Sequence, residues 1–265
     1  MQEGFQAYHL MRLGRYTSDL SFSVPRRPLL IFDWDDTLCP TSWLKSQAVI
    51  LTEPGPLHLR PQLSQITQSC ISLLRSACNH GDVFLSTNAA PGWVNTASKN
   101  FMYGVAGEID RLNIPVLYGR EHCQSNCSLR WKESAASKIL DSLSYIPSTV
   151  MSFGDQALDH EAVTRVLCRS RPPRETNPIS TMKKLRTRHE NSDLICPIKC
   201  VKFLHEPDID ELVLQIETVR TTLKRLVDSR CEGNLAVLNT LTSRQRIIYL
   251  GLRFKASERG PFTSS

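Results

Sequence analysis

Five short apolar runs constrain the fold of this chain more than any other feature. Each run is continuously apolar rather than alternating, which is typical of parallel strands that are buried on both faces. Segments with helical periodicity separate most of them, and this alternation predicts a doubly wound α/β sheet. The predicted strands are residues 29–34, 82–87, 114–119, 149–154 and 198–204. The predicted helical segments are residues 61–81, 92–112, 128–143 and 208–227.

The rest of the chain lies outside this alternation. We expect one domain over residues 28–228, preceded by a polar N-terminal arm (1–27) and followed by a C-terminal tail (229–265). Residues 169–195 are rich in proline, arginine, serine and asparagine, which is the composition of an inserted loop. Within the tail, residues 246–254 read RIIYLGLRF and could add an edge strand.

The net charge of the chain is concentrated in the predicted loop. The whole chain carries +6, and residues 169–189 hold seven arginines and lysines against one acid, Glu175. The remainder is therefore electrically balanced, and a general nucleic-acid-binding surface is not supported. We expect this basic loop either to bind anionic partners or to be a solvated insertion without a ligand.

Hydropathy and cysteine usage indicate a cytoplasmic protein without a membrane anchor. The chain has no run of about 18 apolar residues, so no membrane-spanning helix is expected. Nine scattered cysteines contain no CxxC pair, which fits reduced thiols better than a disulfide framework. His122, Cys123 and Cys127 lack a fourth ligand at a suitable spacing, which favours ordinary loop residues over a zinc site.

Acidic and hydroxyl side chains lie where three of the predicted strands end. In open parallel sheets ligands bind beyond the carboxyl ends of the strands, so we expect these side chains to converge on one crevice. Lys132, early in the helix that leads to the fourth strand, is expected to point toward the same edge. The side chains at the strand ends are Asp33, Asp35, Thr87, Asn88, Asp155 and Asp159.

The combination of these residue types favours phosphoryl chemistry. Carboxylates this close together cannot all stay ionised without a cation. Mg²⁺ binds oxygen atoms, usually through one or two carboxylates together with substrate phosphate and water. A metal, a lysine and a hydroxyl suit a group that carries negative charge on several oxygens, which is phosphoryl. A carboxylate at the metal can then attack phosphorus to give an aspartyl phosphate.

The same positions resemble the four motifs of the haloacid dehalogenase superfamily. DWDDT at residues 33–37 matches the DxDx[TV] signature at the end of an apolar strand, and FLSTNA resembles the second motif. Lys132 in RWKES resembles the third motif, and MSFGDQALD resembles the fourth, GDxxxD. The motifs occur in the family's order. The resemblance implies a three-layer α/β/α Rossmann-like fold with a mainly parallel five-stranded sheet.

The resemblance also implies catalytic and phosphate-binding roles. Asp33 would be the nucleophile, and Asp35 would protonate the leaving group and then activate water. Thr87, Asn88 and Lys132 would bind the phosphoryl oxygens. Thr87 is preferred to its neighbour in the strand because the family has its hydroxyl just before the asparagine. The alternatives that stay open are Ser86 for the hydroxyl, and Arg130 and Lys138 for the lysine.

A magnesium site is implied at the same edge of the sheet. Its ligands would be the Asp33 carboxylate, the Asp35 backbone carbonyl and Asp155, with Asp159 ligating weakly or orienting a water. Asp155 and Asp159 could instead cap the following helix. Asp36 occupies a position that varies in the family, and we interpret it as a solvated or capping acid.

The function expected from these features is that of a Mg²⁺-dependent phosphatase with an aspartyl-phosphate intermediate. The gap of about 20 residues after the first motif is too short for a folded cap domain, so no large cap is expected. An open site is typical of family members that act on macromolecules, or of those that a partner subunit caps. The alternatives are a phosphotransferase, or a binding or regulatory protein with little turnover, against which the intact motif set counts.

Overall fold

The computed structural model describes residues 26–169 and 196–229 and the backbone of Gly233–Ala236. Outside the described residues lie most of the predicted arm, most of the basic loop, and most of the C-terminal tail, including its predicted edge strand. No described helix is long and apolar enough to cross a membrane.

The described strands form one sheet in which every neighbouring pair is parallel. Their order across the sheet is β3-β2-β1-β4-β5-β6. The predicted α/β class is confirmed, and each of the five predicted strands is present. The sixth strand was not predicted, because its residues were assigned to the tail. The strands are β1 (Leu29–Phe32), β2 (Asp82–Thr87), β3 (Val116–Tyr118), β4 (Val150–Gly154), β5 (Ile198–Lys202) and β6 (Gly233–Ala236).

Helices cover both faces of the sheet and complete three layers. On one face α2 and α7 pack together, and on the other α5 packs against α6. The segment predicted as one helix over residues 92–112 forms two, α3 and α4, separated at Gly104, whose φ of 96° is left-handed. The helices are α1 (Thr41–Ser46), α2 (Arg60–His80), α3 (Trp93–Asn100), α4 (Val105–Arg111), α5 (Ser128–Ser142), α6 (Ala157–Arg169) and α7 (Ile209–Asp228).

The central strand β1 shows why its sequence is continuously apolar. Leu30 and Phe32 lie in the larger core, toward α2 and α7, whereas Leu29 and Ile31 lie in the smaller core, toward α5 and α6. All four side chains are buried, and Phe32 stacks on Phe153 of β4 with ring centroids 4.2 Å apart. Burying each such side chain stabilises the fold by about 1.5–3 kcal/mol.

The strand order places a crevice at the carboxyl ends of β1 and its neighbours. The chain runs outward from β1 through β2 to β3 and then crosses to β4 on the other side of β1. In open α/β sheets this reversal of strand order is where ligands bind. Between β1 and α2, residues 33–59 contain only α1 and the 3₁₀ turn Leu57–Leu59, so this segment contributes no folded cap.

Candidate active site

A buried lysine joins two acids at the carboxyl edge of the sheet. Lys132, on the first turns of α5, contacts Asp33 Oδ1 directly and lies 2.9 Å from Asp159 Oδ1. Its Nζ also donates to the backbone carbonyl of Ser86, at 2.7 Å. The backbone N–H of Asp33 extends the β1–β4 pairing by donating to Phe153 O at 2.8 Å, which fixes the acid at the strand end. The structure thus brings together residues from β1, α5 and α6.

Burial and charge act in opposite directions on this cluster. Burial raises the pKa of Asp33, as do the neighbouring carboxylates of Asp159 and Asp35, and the Lys132 charge only partly opposes this rise. Burial alone would lower the pKa of Lys132, but the Asp159 and Asp33 carboxylates outweigh it and hold the pKa above its ordinary value. Lys132 therefore stays charged, but one lysine does not offset the burial and mutual repulsion of the acids, so the pKa of Asp33 stays raised without a further cation.

Gly154 allows Asp159 to approach the end of β4. A Cβ atom at Gly154 would lie 2.4 Å from Asp159 Oδ2, a distance that would force the acid away. The same Oδ2 accepts a hydrogen bond from the backbone N–H of Gln156 at 3.1 Å, while Oδ1 contacts the lysine. Asp159 therefore caps the start of α6 with one oxygen and joins the buried cluster with the other.

Asp155 is held by a histidine that the sequence analysis did not identify. His205, after β5, lies with its Nδ1 2.9 Å from Asp155 Oδ2, and Lys202 donates to the backbone carbonyl of Asp155 at 2.9 Å. Burial raises the pKa of Asp155 to about 6, and the bond from His205 opposes that rise. His205 itself is exposed, at the rim of the crevice.

Asp33, Asp155 and Asp159 form a cluster that suits a divalent cation. Each offers a carboxylate oxygen, and these oxygens all lie within 4.8 Å of one another. Two oxygens on opposite sides of one magnesium ion lie about 4.2 Å apart, so small side-chain movements would let all three reach one ion. An all-oxygen donor set with excess negative charge is the chemistry that Mg²⁺ prefers. These residues therefore fit a magnesium ion.

Asp35 lies beside this cluster and accepts hydrogen bonds from three side chains. Its Oδ1 accepts from Thr41 Oγ1 at 2.6 Å and from Trp93 Nε1 at 2.8 Å. Its Oδ2 accepts from Thr87 Oγ1 at 3.2 Å. Thr41 and Trp93 were not identified from the sequence. They begin α1 and α3, so the starts of two short helices hold this carboxylate.

Comparisons with known proteins assign no family to the chain: no family model, no curated protein and no solved structure matches it. The likeness to the haloacid dehalogenase motifs therefore stays a resemblance in sequence. What the fold adds is the placement of the motif residues at one edge of the sheet.

The two hydroxyl residues at the end of β2 face different partners. The Thr87 hydroxyl faces Asp35 and accepts a hydrogen bond from the backbone N–H of Ala89 at 3.0 Å. Ser86 presents its backbone carbonyl to the lysine instead. Asn88 donates through Nδ2 to Ser128 O at 3.1 Å, so this amide ties the end of β2 to the start of α5.

The competing candidates for the lysine have other partners. Arg130 lies 3.4 Å from Glu133, on the outer side of α5. Lys138 contacts His122 Nδ1 at 2.9 Å. Within residues 26–169 and 196–229, the three acids of the cluster are the only group of potential ligands close enough to share a metal, so His122 belongs to no such group.

Asp36 lies outside the cluster and caps α1. Its Oδ1 accepts from the backbone N–H of Ser42 at 2.7 Å, and its Oδ2 accepts from the Ser42 hydroxyl at 2.6 Å. Its φ of 56° is left-handed, a conformation that aspartate tolerates better than most residues. Of the two interpretations given above, the structure favours a capping acid over a solvated one, because the side chain is buried.

Proposed function

We propose that the protein is a Mg²⁺-dependent phosphatase in which Asp33 carries the phosphoryl group as an aspartyl phosphate. The observation that carries the proposal is the buried cluster at the strand ends, in which Lys132 contacts Asp33 and Asp159, with Asp155 close by. The resemblance to the haloacid dehalogenase superfamily supports the same chemistry, because the residues that converge are those of its motifs.

The reaction would proceed in two displacements at phosphorus. A carboxylate oxygen of Asp33 attacks the phosphorus, the bond from phosphorus to the leaving oxygen breaks, and Asp35 donates a proton to that oxygen. A water then attacks the phosphorus and loses a proton to Asp35. The bond from phosphorus to Asp33 breaks, releasing inorganic phosphate and restoring the carboxylate.

The surrounding residues would stabilise charge and orient the phosphoryl group. Lys132 would hold its positive charge against Asp33, and the hydroxyl of Thr87, which donates to Asp35, would turn to donate to a phosphoryl oxygen. A magnesium ion held by Asp33, Asp155 and Asp159 would offset the negative charge on the oxygens of the transferring group. Fixed charges of this kind are usually the largest contribution to such a reaction.

The short segment between β1 and α2 favours a substrate whose phosphate is exposed, such as a phosphorylated macromolecule. The segment between β1 and α2, where a cap domain would be inserted, contains one short helix and a 3₁₀ turn. Without a cap in this segment, a phosphate projecting from a protein surface could reach the strand ends, whereas a small metabolite would leave much of its surface in contact with water.

Hydrolysis of an aryl phosphate tests the proposal. The wild type should release phosphate with Mg²⁺ and not with EDTA, and Asp33→Asn should lower turnover by roughly a thousandfold or more, since it removes the nucleophile. Asp36→Asn is the matched control, because Asp36 is a neighbouring buried acid that bonds to Ser42 instead. It should keep most of the activity.

The Asp35→Asn variant separates the two displacements. It should form the phosphorylated enzyme from an aryl phosphate and break it down slowly, so that phosphoprotein accumulates and is detected by mass spectrometry. Full activity in Asp33→Asn would contradict the mechanism. A wild type that hydrolyses no aryl phosphate, phosphopeptide, nucleotide or sugar phosphate would favour a binding or regulatory role.

A further inference from the structure

The three donors that hold Asp35 differ in what they can do. The hydroxyls of Thr41 and Thr87 can rotate and either donate or accept a hydrogen bond. The indole N–H of Trp93 can only donate, because its nitrogen has no free lone pair. Trp93 is therefore the one partner in this set whose contact with Asp35 has a fixed direction.

The hydrogen bonds to Asp35 engage its two oxygens unequally. Oδ1 already accepts from both Thr41 and Trp93, at 2.6 and 2.8 Å. Oδ2 accepts only the longer bond from Thr87, at 3.2 Å. Oδ1 is therefore held by two short hydrogen bonds, one of them of fixed direction, whereas Oδ2 is the less engaged oxygen and can exchange a proton with substrate or water at a smaller cost in hydrogen bonds. That oxygen lies on the side of Thr87, the residue placed to bind the phosphoryl group.

The backbone before Trp93 is shaped to bring the indole to this position. Gly92 has a left-handed φ of 82°, which glycine adopts at little cost, and the turn is closed by a bond from Trp93 N to Ala90 O at 3.1 Å. The ring of Trp93 is partly buried and packs against the larger core. The N–H is thus held by packing and by the turn as well as by Asp35.

We propose that Trp93 is a positioning residue that orients Asp35, so that Oδ2 gives the proton to the leaving group and takes one back from water. The inference rests on the proposed function and names a residue that its motifs do not contain. As the phosphorus–oxygen bond of the substrate breaks, the proton passes from Oδ2 to the leaving oxygen. As water attacks the phosphoenzyme, Oδ2 accepts the proton that the water loses.

Trp93→Phe tests this role, because it keeps an aromatic ring for packing and removes the N–H. With an aryl phosphate whose phenol is acidic, the leaving group needs no proton, so the pre-steady-state burst of phenol should keep its rate. Steady-state turnover, which requires water activation, should fall about tenfold, the usual size of losing one hydrogen bond to a charged group. Formation of phosphoenzyme from an alkyl phosphate should fall by a similar factor.

Two further variants test whether the kinetic change comes from the loss of a donor to Asp35 Oδ1. Thr41→Val removes the other donor to Oδ1 and should reproduce the split between burst and steady state. Trp43→Phe is the matched control, since Trp43 is another partly buried tryptophan on the same core whose ring serves packing. It should leave both phases unchanged.

An NMR measurement tests the contact without relying on turnover. The chain has four tryptophans, and Trp93→Phe assigns the indole N–H signal of Trp93 in a ¹⁵N–¹H spectrum of the labelled protein. Asp35→Asn replaces the charged acceptor with a neutral one, so this signal should move upfield more than the other three. An unmoved signal would overturn the inference.

The kinetic outcomes separate this inference from the function on which it rests. Equal losses in burst and steady state would indicate a merely structural tryptophan, and an unimpaired Trp93→Phe enzyme would overturn the positioning role alone. A wild type without any turnover would overturn the proposed function and this role together.

Discussion

The three acids after β1 are only a few positions apart, yet each has its own partner in the folded chain. Asp33 contacts Lys132, Asp35 accepts from Trp93 and two threonines, and Asp36 caps α1. The partners come from α5, α3, β2 and α1. Identical side chains therefore acquire different chemistry because each one meets a different part of the fold.

Asp155→Asn should stabilise the metal-free protein, and more so at higher pH. Burial raises the pKa of Asp155 from 3.8 to about 6. Between these two pKa values the native state keeps a proton on Asp155 that the unfolded chain has lost. The wild type therefore loses stability as the pH rises from about 3.8 through about 6. In EDTA, the unfolding free energy of Asp155→Asn should exceed that of the wild type by on the order of 2 kcal/mol near pH 7.5, and by less near pH 5.

Urea unfolding at both pH values measures this difference. Asp110→Asn, a change at an exposed acid on α4, serves as the control and should shift stability little at either pH. An Asp155→Asn protein that is less stable than the wild type at both pH values would show that the carboxylate is stabilising without a metal, contrary to this prediction.

At the scale of elements, a buried lysine from the sheet terminates α7. Lys199, on β5, donates through Nζ to Leu226 O at 2.6 Å, Val227 O at 2.9 Å and Ser229 O at 2.7 Å. The last carbonyls of a helix have no partner within the helix, and a cation there also complements the helix dipole. The side chain is 2% exposed, so water cannot replace it.

Lys199→Met should therefore lower the free energy of unfolding. Methionine fills a similar volume but leaves buried carbonyls of α7 without this donor, at a cost of about 1–3 kcal/mol. Lys224→Met is the control on the same helix, because Lys224 is exposed and its pairing with Asp228 is a surface ion pair that contributes little. Denaturant unfolding compares the two variants. Equal effects would mean that the contacts of Lys199 contribute no more than a surface ion pair.

The sequence predicted those strands and helices whose buried positions are marked by a pattern of apolar residues. β1 is apolar at every position because helices cover both faces of the sheet. β6, by contrast, is four residues long, reads GNLA and pairs with the edge of β5 through its backbone, so no apolar run marks it. The helix break at Gly104 was missed because glycine is tolerated within a helical pattern and adopts positive and negative φ about equally, so the residue alone does not mark a break.

At the scale of the whole molecule, the sequence predicted only those site residues whose position at the carboxyl edge of the sheet follows from the ends of the strands. Asp33, Asp155 and Lys132 follow from the rule that ligands bind at the carboxyl edge of such a sheet. Trp93 and His205 lie 58 and 50 positions from the acids they contact, and no periodicity encodes those distances. The left-handed turn before Trp93 offered the one local signal, a Pro-Gly pair that precedes an aromatic residue.

Mg²⁺ should stabilise the whole fold, because the acids proposed to bind it follow different strands that come together only when the sheet forms. Asp33 follows β1, whereas Asp155 and Asp159 lie four residues apart after β4 and on α6, so unfolding must separate Asp33 from the other two. A ligand present at 100 times its Kd adds about 2.7 kcal/mol to the free energy of unfolding, which for a chain of this size raises Tm by roughly 5–10 °C. Differential scanning fluorimetry with Mg²⁺, and with EDTA at equal ionic strength, measures this shift. Asp159→Asn should abolish it and Asp36→Asn should retain it, since Asp36 caps α1 instead. An unchanged Tm in the wild type, or a full shift in Asp159→Asn, would remove the magnesium site from the proposal.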